Sequence, residues 1–268
     1  MRNQSKTTVL HCLPIILTLM ALILFISAAS ARPKPKVLVF YKTAGYHHSS
    51  IAVGIVAIQK LGAENKFEVD TTLEADKINS ENLEQYKAVV FLSTTGDILN
   101  EEQQEAFKKY IEAGGGFMGI HAATDCEYNW PWYGNLVGAY FGGHPAQQEA
   151  TLNIVDANNI STRHLPNPWK RKDEWYSFKW MTNGLHVLIT IDEKSYNLDK
   201  LVPMGNHPMA WYHKYDGGRA FYTELGHTDE SFADPLYLKH ILGGIEYAMG
   251  RKPQAKLKVR ENMNHKQL

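Results

Sequence analysis

Gly115-Gly116-Phe117-Met118-Gly119-Ile120-His121-Ala122-Ala123 is a short apolar run that stops at a histidine. A run this short, bounded by glycines, predicts a buried strand. Small residues then lead through Thr124-Asp125 into an aromatic-rich segment that reads as a helix. A strand-to-helix elbow of this kind holds one side chain exposed above the sheet edge. Hydrolases of that layout carry Ser or Cys there. A histidine can bind a ligand, shuttle a proton or hold a metal, but it cannot form the usual acyl-enzyme.

The same rhythm precedes this stretch. Lys36-Val37-Leu38-Val39-Phe40-Tyr41 is a continuous apolar strand of the type buried in parallel sheets. The loop Thr43 to Ser49 follows, then a helix from Ile51 to Leu61 that should stop at Gly62. Phe67 to Thr72 alternates and predicts a strand nearer an edge. Ala88 to Ser93 is fully apolar, with Thr94-Thr95-Gly96-Asp97 as its loop. Asn100 caps the next helix, with Gln103 in capping-box position. Phe107, Tyr110 and Ile111 share one face of it, and Gly114-Gly115-Gly116 ends it.

Alternating strands and helices predict βαβ units, right-handed crossovers, and helices on both faces of a mostly parallel sheet. Ligands of such sheets bind beyond the carboxyl ends of the strands. That selects the loops 43–49, 93–97 and 121–125. The second half is less regular. Thr151 to Val155 and His186 to Thr190 read as strands. Met209 to Tyr215 and Arg219 to Leu225 flank Asp216-Gly217-Gly218, a strong hairpin signal. Pro235 to Met249 is a closing helix. Without repeats or a clear linker, 36–250 reads as one domain, followed by a polar tail over 251–268.

Composition narrows the class. Lys+Arg and Asp+Glu balance at 28 each, so no basic excess points to nucleic acid or to a membrane surface. Arg2 and Lys6, an apolar run from Val9 to Ile26, and Ala29 and Ala31 in an Ala-x-Ala pattern read as a secretory signal peptide over 1–31. The rival reading is an uncleaved anchor. Cleavage would leave a secreted or periplasmic protein without stable membrane association. It would also leave Cys126 without an intramolecular partner. Cys126 is then either a small core residue or a reactive thiol near His121.

Eleven histidines follow the signal segment, and His47, His48, His121, His144, His207 and His227 sit in loops or beside Gly or Pro. A single loop histidine is usually just surface; the cluster at strand ends carries the weight. Gly142-Gly143-His144-Pro145 lets the backbone pass close to a ligand. Asp173-Glu174-Trp175-Tyr176 sets a carboxylate beside two aromatics, a pairing that suits sugars or, equally, an acid beside the core. Arg219, at a strand start, could pair an acid.

Three chemistries fit this set. His121, His144, Glu174 and His227 could hold a divalent metal, although the spacing matches no His-Glu-x-x-His pattern. His121 and Glu174, with His144, could be acid–base residues acting beside a carbonyl or at a glycosidic carbon. The cleft could also bind a carbohydrate without catalysis. His47, His48, Trp175, His207, Trp211, Arg219 and His227 would line it, with Trp175 and Trp211 as sugar platforms. No Walker loop or Gly-x-Gly-x-x-Gly follows the first strand, which disfavours phosphate.

Phe117-Met118-Gly119-Ile120-His121-Ala122-Ala123, Gly143-His144-Pro145, Asp173-Glu174-Trp175-Tyr176, His207-Pro208-Met209-Ala210-Trp211, and Gly218 to Tyr222 with Gly226-His227-Thr228 resemble, in order, the ThuA-like (trehalose utilisation) family. The resemblance runs from about Lys36 to Gly250. It implies a class I glutamine amidotransferase-like, flavodoxin-like α/β fold, a three-layer sandwich with a mostly parallel sheet. It also implies a role in sugar utilisation, with a glycoside or keto-sugar as the substrate class. The amidotransferase cysteine falls where His121 stands, so that chemistry does not carry over.

Overall fold

The computed structural model describes residues 33–251, so the signal-peptide reading and the tail over 252–268 lie outside the described residues. The chain enters on β1 (Lys36–Phe40) and passes into α1 (Ser50–Asn65) and β2 (Glu68–Thr72). A short α2 (Ser80–Leu83) precedes β3 (Tyr86–Leu92) and the two-residue β4 (Thr95–Gly96). Next come α3 (Glu101–Glu112), β5 (Gly116–Ile120), β6 (Asp125–Cys126), α4 (Pro131–Val137) and β7 (Ala139–Gly143). β8 (Gln148–Ile154), β9 (Trp169–Asp173), β10 (Ser177–Met181) and β11 (His186–Ile191) follow. β12 (Pro208–Tyr215), β13 (Gly218–Thr223) and α5 (Pro235–Ala248) complete the chain.

Local signals account for most of these boundaries. Asn100 accepts a hydrogen bond from the Gln103 main chain at 2.9 Å, and the Gln103 side chain accepts from the Asn100 N–H at 3.0 Å, the expected capping box of α3. Asp216 and Gly217 both adopt positive φ (46° and 88°), the two-residue turn that matches strand twist between β12 and β13. Gly62 does not end α1, which runs on to Asn65 and closes on left-handed Lys66. A Cβ at Gly62 would meet Val69 Cγ2 at 2.7 Å and the Phe67 carbonyl oxygen at 2.9 Å. That glycine serves the close approach of the next strand rather than a cap.

The sheet is mixed rather than mostly parallel. Its nine strands run in the order β2-β1-β3-β5-β13-β12-β11-β8-β9. The first five are parallel, and every pairing from β13 to β9 is antiparallel. The tight turn at Asp216-Gly217 forces the reversal: once β13 joins β5, its hairpin partner β12 must run the other way. β2 lies at the edge, as its alternation predicts. Phe117, Met118 and Ile120 of β5 are wholly buried, and each contributes about 1.5–3 kcal/mol by leaving water. α5 packs on β3, β5 and β13 and touches α1, while α3 and α4 contact β13.

Candidate functional site

β1, β5 and β13 end at the same edge of the sheet, with β3 between β1 and β5, and the segments that follow them carry His48, His121 and His227. Ile120 pairs with Thr223, so His121 and Glu224 leave the sheet at the same level. His121 adopts φ +51°, the strained turn expected of an elbow. Its carbonyl accepts from the Tyr222 hydroxyl at 2.7 Å, and its Nδ1 lies 2.7 Å from the Glu224 carbonyl oxygen. The side chain is completely buried, not exposed above the sheet. A carbonyl can only accept, so Nδ1 carries the proton in the neutral ring and Nε2 is left bare.

That bare nitrogen faces a group of convergent side chains. His121 Nε2 lies 3.0 Å from His227 Nδ1 and 3.6 Å from Glu174 Oε2, and His227 Nδ1 lies 3.0 Å from the same oxygen. His48 packs edge-on against both rings, and its own Nδ1 is buried without a hydrogen-bond partner. His48, His121, Glu174 and His227 each bring one ligand-type atom within 4.8 Å of the others. His144 stands outside this knot, with Nδ1 3.1 Å from the second Glu174 oxygen and 2.9 Å from the Pro145 carbonyl. Its side chain is 41% exposed, so it lies on the solvent side of the cluster.

The loops that carry these groups are pinned from behind. Buried Asp173 accepts the N–H groups of Gly226 and His227 at 3.1 Å each and pairs with Arg171 at 3.0 Å. A Cβ at Gly226 would lie 2.3 Å from the Tyr237 hydroxyl, and its φ is +117°, so glycine is required beside His227. Ser50 donates to the Gly226 carbonyl at 3.1 Å. Thr95 bonds Gly45 N–H and the Tyr46 carbonyl and so fixes the loop that holds His48. The second predicted loop thus supports the site rather than supplying a ligand.

Electrostatics separates the acids. Burial raises the Glu174 carboxyl, but hydrogen bonds and positive charge from the His121 and His227 rings in their imidazolium form outweigh it, and the net shift is well downward. Glu174 is therefore an ionised anchor. Burial and the Asp173 charge push Glu224 well above the carboxylate range. It is a neutral acid whose Oε1 accepts the Tyr176 N–H at 3.0 Å. Burial, then the His121 and His227 charges, lower His48 to about 2, so this ring stays neutral.

Other sequence candidates fall elsewhere. Trp175 and Trp211 are entirely buried and donate their indole N–H groups to the Gln148 and Val137 carbonyls, so neither offers a sugar a ring face. His207 is buried between Glu193 and the Tyr176 carbonyl. Arg219 starts β13 at the opposite end of the sheet. It bonds the Ala248 and Gly114 carbonyls and lines a cavity of about 690 Å³ with Tyr110 and Lys87. His47 is exposed beside the Thr43 hydroxyl. Cys126 is buried, and burial raises its thiol to about 12, which removes it as a nucleophile. Sequence reading missed Tyr46, an exposed ring 4.7 Å from His48, and Asp125, which accepts from Tyr128 at 2.6 Å. The loop positions of both residues were the available signal.

Known proteins share the fold. A family model described as trehalose utilisation matches residues 36–248. A ThuA-like protein of Bacteroides uniformis is 24% identical, with a TM-score of 0.69, covering 82% of this chain and 94% of that one. One from Parabacteroides merdae is 21% identical, also at 0.69, covering 83% and 93%. A β-galactosidase of Rahnella sp. R3 shares the fold more distantly, at 16% identity and a TM-score of 0.54, across 87% of this chain and 34% of its own. No curated protein matches. With the family model spanning most of its length, this chain belongs to the ThuA, or trehalose utilisation, family.

Proposed function

We propose that this protein is secreted and processes a carbohydrate, a glycoside or keto-sugar, at the His/Glu cleft beyond the carboxyl ends of β1, β5 and β13. The observation that carries the reading is Glu174, whose two oxygens face different histidines: His121 and His227 within, His144 on the solvent side. Family membership supplies the sugar context. We also read the helices as covering both sheet faces, the three-layer arrangement of class I glutamine amidotransferase-like proteins.

The proton chemistry follows from tautomers. His144 Nδ1 faces only acceptors, the Glu174 carboxylate and the Pro145 carbonyl, so the neutral ring carries its proton there. Its Nε2 is then free to take a proton from a hydroxyl or from the carbon beside a carbonyl. Glu174 stabilises the imidazolium that results. His121 and Glu174 hold the reacting group, and Tyr46 offers the apolar ring face that buried Trp175 and Trp211 cannot.

The test is a screen of unoxidised and keto-disaccharides against purified protein, repeated with His144→Ala, His121→Asn and Glu174→Gln. Asn tolerates the left-handed backbone of position 121. Turnover lost by at least about 100-fold in His144→Ala fits general acid–base work. Binding without turnover, unchanged in His144→Ala, would favour a carbohydrate-binding module instead. No binding of any sugar would sink both readings.

A further inference from the structure

We infer that His48, His121, Glu174 and His227 form a binding site for one divalent first-row transition ion of the zinc type. This deepens the sugar reading and rests on it only for what the ion would act upon. The donor set is three imidazoles and one carboxylate, drawn from the ends of three parallel strands and from the segment after β9. Nitrogen-rich sets of this composition select zinc, iron or nickel over magnesium, calcium and manganese, which prefer oxygen.

Ring geometry argues for a shared centre. Imidazoles bound at about 2.0–2.1 Å place their ring centres roughly 3.2 Å from an ion, hence about 4.5–5.2 Å apart for ligand angles between square and tetrahedral. The centres of His48 and His121 are 4.8 Å apart, those of His48 and His227 are 5.0 Å, and those of His121 and His227 are 5.0 Å. The rings are close to mutually perpendicular, at 89°, 85° and 78°. Donor spacing agrees. Tetrahedral or octahedral ligands stand about 2.9–3.4 Å apart, and the three contacts among His121, His227 and Glu174 are 3.0, 3.0 and 3.6 Å.

Hydrogen bonding points the same way. His121 is fixed with Nδ1–H on the Glu224 carbonyl, the outer-shell bond that orients a ligating histidine and leaves Nε2 bare. His227 Nδ1 lies equally close to His121 Nε2 and Glu174 Oε2, so protons alone leave one pair poorly satisfied. His48 Nδ1 is buried and unpartnered. A cation would engage these lone pairs together. Asp173 would act behind the site by holding the His227 main chain. His144 stays outside and remains available for proton transfer at an ion-bound hydroxyl or carbonyl.

The experiment is direct titration of chelator-treated, folded protein with Zn²⁺, Mn²⁺ and Mg²⁺ by calorimetry, with Co²⁺ absorbance to report the ligand field. The expected result is one saturable Zn²⁺ per chain and no comparable Mg²⁺ binding. Affinity should fall at least about 10-fold in His227→Ala and in Glu174→Gln. His47→Ala, an exposed neighbour, should bind normally. No saturable Zn²⁺ site, or one that survives both His227→Ala and Glu174→Gln, overturns the inference. Sugar is absent from this measurement, so zinc binding without any sugar turnover would defeat the sugar reading alone.

Discussion

His207, His213 and His240 are buried as deeply as His48 and His121, yet their surroundings differ in kind. His213 bonds the Leu136 carbonyl at 2.9 Å. His240 bonds the Ser161 carbonyl and the Thr223 hydroxyl, and His207 the Tyr176 carbonyl and Glu193. Each ring nitrogen of His207 and His240 has its own partner. At the carboxyl edge the rings face one another and share Glu174. Burial alone does not mark a functional histidine. Competition for too few partners does, because structural polar groups are normally each satisfied.

The largest expected effect tests whether the edge depends on the core behind it. Asp173→Ala would remove the closer of Arg171's two carboxylate partners, leaving only Asp234 at 3.6 Å, and strip acceptors from the Gly226 and His227 N–H groups. Breaking a buried pair of this kind costs about 3–5 kcal/mol, read by urea denaturation. A loss below about 1 kcal/mol would mean that the edge stands without that support.

His240 sharpens the other side. Burial, helped by the His164 and Arg171 charges, lowers its pKa to about 3 from an ordinary 6.5. Between those values the unfolded chain binds a proton that the folded protein refuses. Stability should therefore fall as pH drops below about 6.5, by up to about 1.4 kcal/mol per pH unit, and be indifferent above it. His240→Gln should flatten that slope in thermal melts taken from pH 7 to 5. An unchanged slope would mean that His240 is protonated in the fold.

His227→Ala comes next. The side chain is 13% exposed and its loop is held through main-chain bonds, so stability should change by about 1 kcal/mol or less while ligand binding is lost. A large stability loss with intact binding would move His227 into the structural class.

How far the sequence reaches follows from the same contrast. The parallel half was legible because apolar runs, a capping box and an elbow are local signals. So was the β12–β13 hairpin, through Asp216-Gly217. The reversal of strand direction beyond β13 was not, because it depends on β13 adding beside β5, a pairing between distant segments. Within the site, His121, Glu174, His144 and His227 were nameable from strand ends and glycines. Trp175 and Trp211 misled because an aromatic beside an acid looks the same in a cleft and in a core. Asp173 appeared only as the neighbour of Glu174, since what it holds lies 53 residues away at Gly226.

His47 and His48 make the narrowest comparison. They are adjacent, and sequence gave both the same role. His48 turns inward against His121 and His227, while His47 stays in solvent with one contact to the Thr43 hydroxyl at 3.2 Å. One step along the chain therefore separates a ring within the cluster from a surface ring. His47→Ala should change stability by no more than about 0.5 kcal/mol, the usual range for exposed substitutions, and leave ligand affinity within twofold. His48→Ala should weaken binding at least about 10-fold, because it removes one donor of the set. Calorimetry on both variants, side by side, reads the difference. Equal effects would mean that the loop positions the ligand as a whole and that the inward turn of His48 carries no special weight.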